Sequence, residues 1–312
     1  MADRPHLPSS SSRRARILLP ALGLTTAVTT VLTTALLAAP AAAGAAASPR
    51  QGPAASPMVD TTTPRHAKPL VRTGAKAAKS LVFSDEFNGA ALDTAKWTAR
   101  NWPRSGTVPP DTWSYDPANV GTDGKGALEI KVRNPAPNTY TGALIDSNGK
   151  FDYTYGTLEA RVKFPPTNGH LGAVWLLPTA GLAPGGVYDG TARDGAEMDI
   201  AETNSQADRY TVSLHWDSFS PPQHQQSSTV PDAPGVHSGY HTVGLNWTPN
   251  RLDFTYDGRV VRTVTDPKLI SQAKEYPLLS HEILDQWADG SIHDEVFDST
   301  SSFYVDYIRV WQ

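Results

Sequence analysis

The sequence predicts an all-β fold, a sandwich or jelly roll, on three observations. From Leu81 onward it falls into short β-rich runs broken by Gly, Pro, Asn and Asp. Within one run, Leu158, Ala160, Val162 and Phe164 alternate with Glu159, Arg161 and Lys163, the period-2 pattern of a half-buried strand. Further on, Asp257-Gly258 stands between two such runs, and both residue types tolerate the positive φ that a two-residue hairpin turn needs. No helical pattern of convincing length interrupts these runs; Asp266–Lys274 is a weak candidate, and no internal repeat is visible. Many short strands without helical crossovers favour packed antiparallel sheets.

In chain order, Arg13, Arg14 and Arg16 precede an apolar, Thr-interrupted stretch, and small residues follow from Ala41 to Ala47. Basic region, apolar region and small-residue cleavage site predict a secretory signal peptide over residues 1–47, and hence a secreted, extracellular protein. The apolar stretch is long enough to span a bilayer, for which about 20 residues suffice. Its Thr content and small-residue tail favour cleavage over a retained anchor, so no stable membrane insertion is expected afterwards. Residues 48–79, rich in Pro, Ala and Thr without an apolar period, read as a flexible linker. Residues 80–312 form the domain. Its candidate strands are 127–133, 156–164, 172–177, 196–202, 210–216, 240–247, 251–256, 259–264, 278–283 and 302–311.

Composition supports this division. Residues 1–79 carry ten basic and two acidic side chains, and residues 80–312 carry 17 and 29. All 27 aromatic residues follow residue 79, so only the second part has the apolar area to offset its chain entropy. An acidic domain has little attraction for a phosphate backbone, which argues against nucleic acid. The absence of cysteine excludes disulfides, thiolate metal sites and a cysteine nucleophile.

The chemistry-bearing feature is Glu197-Met198-Asp199-Ile200-Ala201-Glu202, three carboxylates in six residues of an apolar strand. Acidic side chains are rarely buried unless paired or functional. Glycosidic hydrolysis uses two carboxyl groups, one to attack or activate water and one to protonate the leaving oxygen. Glu197 and Asp199 share a strand face, whereas Glu202 has the wrong parity. A β-bulge near Ile200 or Ala201 would return Glu202 to that face. The outer pair would then stand on the order of 13 Å apart at Cα, within reach of the ~5 Å carboxyl spacing of a retaining enzyme. Asp199 between them would hydrogen-bond a neighbour and separate the two Glu pKa values by charge repulsion.

Glu197-x-Asp199-x-x-Glu202 resembles the signature of glycoside hydrolase family 16 in its bulged, laminarinase-like form. The likeness extends through Phe83-Ser84-Asp85-Glu86-Phe87, Tyr155–Lys163, Val174–Pro178, His241-Thr242-Val243, Asp257-Gly258 and Val305–Val310, in the family's order. The resemblance implies a β-jelly-roll sandwich of two curved antiparallel sheets with a concave substrate cleft. It implies Glu197 as nucleophile, Asp199 as its helper and Glu202 as general acid/base. Trp175 would be a sugar platform and His215 a neighbour of the acid/base. It implies no cofactor for catalysis, but a structural calcium with Asp306 as side-chain ligand and Glu86 and Gly126 as backbone donors. One departure stands out: where laminarinases carry Trp-Pro before the catalytic strand, this chain has the Gly-rich stretch Thr179–Gly195, containing Tyr188, Asp189, Arg193 and Asp194. That rim suits a galactan or decorated polymer as well as a glucan.

Trp102, Trp113, Tyr115 and Trp287 fall in loop-like segments where sugar stacking is expected, and Glu282 near a cleft-strand end. Trp216, Trp247 and Trp311 read as core. His293-Asp294-Glu295 is too short a cluster to read as a metal site. The leading expectation is a monomeric, endo-acting retaining hydrolase of a β-linked polysaccharide, foremost β-1,3-glucan. A galactan-type hydrolase, a transglycosylase and a non-catalytic lectin on the same scaffold are the alternatives.

Overall fold

A computed structural model describes residues 57–70, 80–104, 112–166, 169–203, 208–283 and 297–312. Among them the regular structure is β-strand apart from three 3-10 turns. The predicted signal peptide and the first part of the linker lie outside the described residues. No helix among the described residues is long and apolar enough to cross a membrane.

The strands build two sheets. The eight-stranded sheet runs Arg259–Val264, Arg251–Tyr256, His241–Thr248, Gly156–Lys163, Phe303–Trp311, Leu128–Ile130, Val120–Thr122, with Leu81–Asp85 also paired to Phe303–Trp311. The ten-stranded sheet runs Gln225–Thr229, Thr211–Trp216, Glu197–Glu202, His170–Pro178, Glu275–Ile283, Thr139–Asp146, Thr112–Tyr115, Trp102–Arg104. Thr98–Ala99 and Arg133–Ala136 pair with Thr139–Asp146. Pairing is antiparallel except where Thr112–Tyr115 lies parallel to Thr139–Asp146.

Alternation sets the layers. Leu158, Ala160 and Val162 of one sheet and Val174, Leu176, Met198 and Leu214 of the other are sealed in the core between them. Trp216, Trp247 and Trp311 are buried, as their sequence context predicts. The opposite face of the ten-stranded sheet holds a second cluster, with Trp113, Tyr115, Leu144, Tyr276 and Leu278, against which Trp175 and Leu177 pack. Both faces of this sheet therefore carry apolar area, but the outer one carries Glu197, Asp199 and Glu202.

Three expectations need correction. Asp266–Lys274 is no helix: Asp266 caps only the 3-10 turn Pro267–Leu269, accepting a hydrogen bond from Lys268 N. The strand Thr139–Asp146 escaped prediction because Gly142 interrupts its β-pattern; a Cβ there would stand 2.1 Å from the His281 carbonyl, so the close strand approach requires glycine. The linker reading fails for residues 57–70. Met58 bridges to Phe83, and its N–H donates to the Val82 carbonyl at 2.9 Å. Thr63 Oγ1 donates to Glu86 Oε1 at 2.8 Å, and Leu70 N donates to Glu159 Oε2 at 2.7 Å. This segment is a docked strap, held by backbone and polar contacts rather than by the apolar residues whose absence suggested a linker.

Candidate active site

The strand Glu197–Glu202 carries one extra residue. Against the strand Thr211–Trp216, Asp199 faces Ser213 and Glu202 faces Thr211, so three steps on one side match two on the other. Against His170–Pro178, Asp199 faces Trp175 and Ala201 faces Val174. The two registers place the bulge at Ile200. Met198, Ile200 and Ala201 all enter the core, and Glu197, Asp199 and Glu202 turn to the outer face. The parity conflict in the sequence is thus resolved by the bulge it called for.

Around this strand the neighbours line up by register. His215 stands opposite Glu197, and Trp175 opposite Asp199, which settles Trp175 on the carboxylate face. The Trp175 indole is half-buried and donates from Nε1 to Ser280 Oγ at 3.1 Å, which fixes its ring. One oxygen each of Glu197 and Asp199 and one ring nitrogen of His215 lie within 4.8 Å of one another. His215 Nε2 is 3.3 Å from Asp199 Oδ2, and its Nδ1 meets His224 Nε2 at 2.8 Å. Glu282 lies on the same face, receives the Tyr115 hydroxyl and is almost fully buried.

Electrostatics then assign protonation. Asp199 is buried, and burial, with Glu282 repelling and Arg262 opposing, pushes its pKa up to about 8. The shift favours the neutral form of Asp199, which can donate a hydrogen bond. Burial also lowers the His215 pKa, against the pull of Glu197, so this imidazole stays neutral. Beneath the strand, fully buried Glu275 accepts the Ala196 N–H at 3.2 Å, and burial raises it to about 8 as well. Its contact is with the residue just before Glu197, from the core side.

The remaining predicted residues distribute unevenly. Trp113 is not an open platform: it is 4 % exposed and packs edge-on against Tyr115, with 5.1 Å between ring centroids. Its loop-like context hid a short strand, Thr112–Tyr115. Trp102, at the far edge of the sheet, is the exposed aromatic there. Tyr188 is exposed on the 179–195 segment, which is tied to the end of the His215 strand by Gly190 N donating to Asp217 Oδ2 at 3.0 Å. Trp287 and the 293–295 cluster lie outside the described residues. For the expected calcium site, the Asp306 carboxylate is taken by Arg161 at 2.7 Å, and the Glu86 carboxylate by Arg309. At Gly126, φ +97°, an added Cβ would stand 2.8 Å from Asn88 Oδ1. Asp306, the expected side-chain ligand, is thus paired with Arg161, a part-exposed contact on one of its two oxygens.

Sequence reasoning missed His224 and Glu275. His224 sits in a Pro- and Gln-rich connection without pattern, and Glu275 precedes its strand's predicted start. Neither position carries a local signal.

Residues 110–307 match the family model of glycosyl hydrolases family 16. Glucan endo-1,3-beta-glucosidase A1 of Niallia circulans is 25 % identical over 269 residues, covering 76 % of this chain and 38 % of that protein. A beta-glucanase of Rhodothermus marinus is 24 % identical over 251 residues, covering 74 % and 85 %. This chain therefore spans well under half of the first relative's length. Among solved structures, a Bacteroides ovatus mixed-linkage-glucan GH16 protein in complex with its product superposes at a TM-score of 0.60 with 22 % identity, over 73 % of this chain and 99 % of that one.

Proposed function

The chain belongs to glycosyl hydrolase family 16, and on that premise we propose that it is a secreted, endo-acting, retaining β-glucanase that cleaves β-1,3-linked glucan. The observation that carries this reading is the bulged strand, which turns Glu197, Asp199 and Glu202 to one face beside a fixed Trp175. Glu197 attacks the anomeric carbon while Glu202 protonates the departing glycosidic oxygen. The bond to the leaving sugar breaks as the Glu197 ester forms. Glu202, now ionised, takes a proton from water, whose oxygen displaces Glu197. Burial raises the Asp199 pKa, which favours a neutral acid between the two glutamates over a third negative charge. The half-buried Trp175, held by Ser280 beside the carboxylates, offers an aromatic face on which a sugar ring could stack.

The 179–195 segment, with exposed Tyr188 in place of Trp-Pro, keeps a galactan-type substrate as the second reading. Reducing-sugar release from laminarin, lichenan, curdlan, agarose, carrageenan and β-1,3-galactan, with product sizing, separates the two. Laminarin cut to mixed oligosaccharides supports the proposal. Release from galactans alone transfers it to the second reading, and binding to glucan without release makes the protein a lectin. Glu202→Gln should lower cleavage of natural glucan by at least about a hundredfold, while a substrate with a very good leaving group still loads the enzyme.

A further inference from the structure

We propose that His224 is a positioning residue for this reaction: its bond to His215 fixes which nitrogen of that imidazole presents a proton to Asp199. The inference rests on the glycosidase reading above. Three groups form a line from the loop to the carboxylates. His224 Nε2 contacts His215 Nδ1 at 2.8 Å, and His215 Nε2 lies 3.3 Å from Asp199 Oδ2. The rings of the two histidines are nearly parallel, with centroids 5.1 Å apart. The His224 backbone is anchored as well, its N–H donating to the Ser220 carbonyl at 3.1 Å.

Two neutral imidazole nitrogens in contact share one proton, so one donates and the other accepts. With His224 as donor, His215 keeps its proton on Nε2, the nitrogen 3.3 Å from Asp199 Oδ2, a buried oxygen with no hydrogen-bond partner of its own. With His224 removed, His215 Nδ1 meets water, and both tautomers become accessible. A histidine's working nitrogen is set by the partner of its other nitrogen, and here that partner is a side chain rather than a fixed carbonyl. The groups facing His215 are Glu197 and Asp199 from one neighbouring strand, and Gln226 and His224 from the other side. Glu282 and Arg262 act on Asp199 in turn. Burial lowers the pKa of both histidines, and His215 lowers that of His224 further, which favours the neutral form of the pair.

The test compares His224→Ala with His224→Gln, whose side-chain amide can still bond His215 Nδ1. On a soluble β-1,3-glucan, the alanine variant should lose about tenfold in kcat with KM within about twofold, as a misaligned catalytic group does. The acid limb of its kcat/KM profile should move, and the glutamine variant should regain most of the loss. In 15N NMR of the imidazoles, the alanine variant should convert His215 from one tautomer to a mixture. An alanine variant with unchanged kcat, pH profile and His215 nitrogen shifts overturns the proposal. Equal losses in both variants, accompanied by lowered thermal stability, also overturn it and make His224 a packing residue. A wild-type protein that cleaves no glycan in the panel overturns the functional reading instead, and the NMR comparison still decides the tautomer.

Discussion

Among the described residues two pairs of histidines meet ring to ring at nearly the same separation, in different surroundings. His170 Nδ1 and His281 Nε2 are 2.9 Å apart, and His281 Nδ1–H donates to the Ile130 carbonyl at 2.8 Å. That carbonyl dictates the whole chain: His281 Nε2 must accept, and His170 Nδ1–H must donate. The pair is sealed on the core face near Phe303, and burial drives the pKa values down to about 2 and about 4. It is a cross-link between the strands His170–Pro178 and Glu275–Ile283. The pair His215–His224 is just as close, but it lies on the outer face, is partly exposed and ends on an acid rather than a carbonyl. Proximity alone does not distinguish a structural histidine pair from a chemical one. What the outermost nitrogen faces does.

The comparison can be broken most directly at His281. His281→Ala should cost about 3 kcal/mol of stability by urea unfolding, from the cavity and the stranded His170 donor, yet leave activity per folded molecule unchanged. His215→Ala should do the reverse, losing activity while costing at most about 1 kcal/mol. Swapped outcomes would erase the distinction.

The strap calibrates that scale, because it stabilises the fold without any histidine pair. A chain beginning at Lys79 loses the contacts of Asp60, Thr63 and Leu70 and should lose about 2 kcal/mol, lowering Tm by several degrees. An unchanged Tm would show the strap to be incidental.

The buried titratable groups also make stability depend on pH. His170 and His281 have folded pKa values below the unfolded 6.5, so their contribution is fully present above pH 6.5 and drains as pH falls toward 4, at about 1.4 kcal/mol per unit for each. Asp199 and Glu275 oppose this. Their folded pKa values, near 8, exceed the unfolded 3.8 and 4.5, so their contribution is present below about pH 4 and lost as pH rises to 8. The opposing slopes roughly offset between pH 4.5 and 6.5, and the acids alone act above that. Unfolding free energy should therefore fall from pH 6.5 to 8, and Glu275→Gln should flatten that fall. A variant that declines as steeply as the wild type would show Glu275 ionised in the fold.

The bulged carboxylate strand was readable because its three acids and its parity conflict lie within six consecutive residues. The hairpin at Asp257-Gly258 was readable for the same local reason, and both residues do adopt positive φ. What stayed hidden was assembled from distant segments. Trp113 looked like a loop residue because its strand is four residues long and pairs in parallel with a strand that Gly142 disguises. The strap at 57–70 docks through Asp60, Thr63 and backbone groups, which leave no hydrophobic period to detect. His224 and Glu275 act through contacts whose partners are 9 and 79 residues away.

The central claim is that Glu197 and Glu202 act from one bulged strand as a retaining pair. Proton NMR of the first reducing ends released from laminarin tests it directly, before mutarotation mixes the anomers. The β-anomer should appear first and decay toward equilibrium. First appearance of the α-anomer would mean direct attack by water, which requires carboxyl groups about 6.5 to 9.5 Å apart, and would contradict the account of this strand.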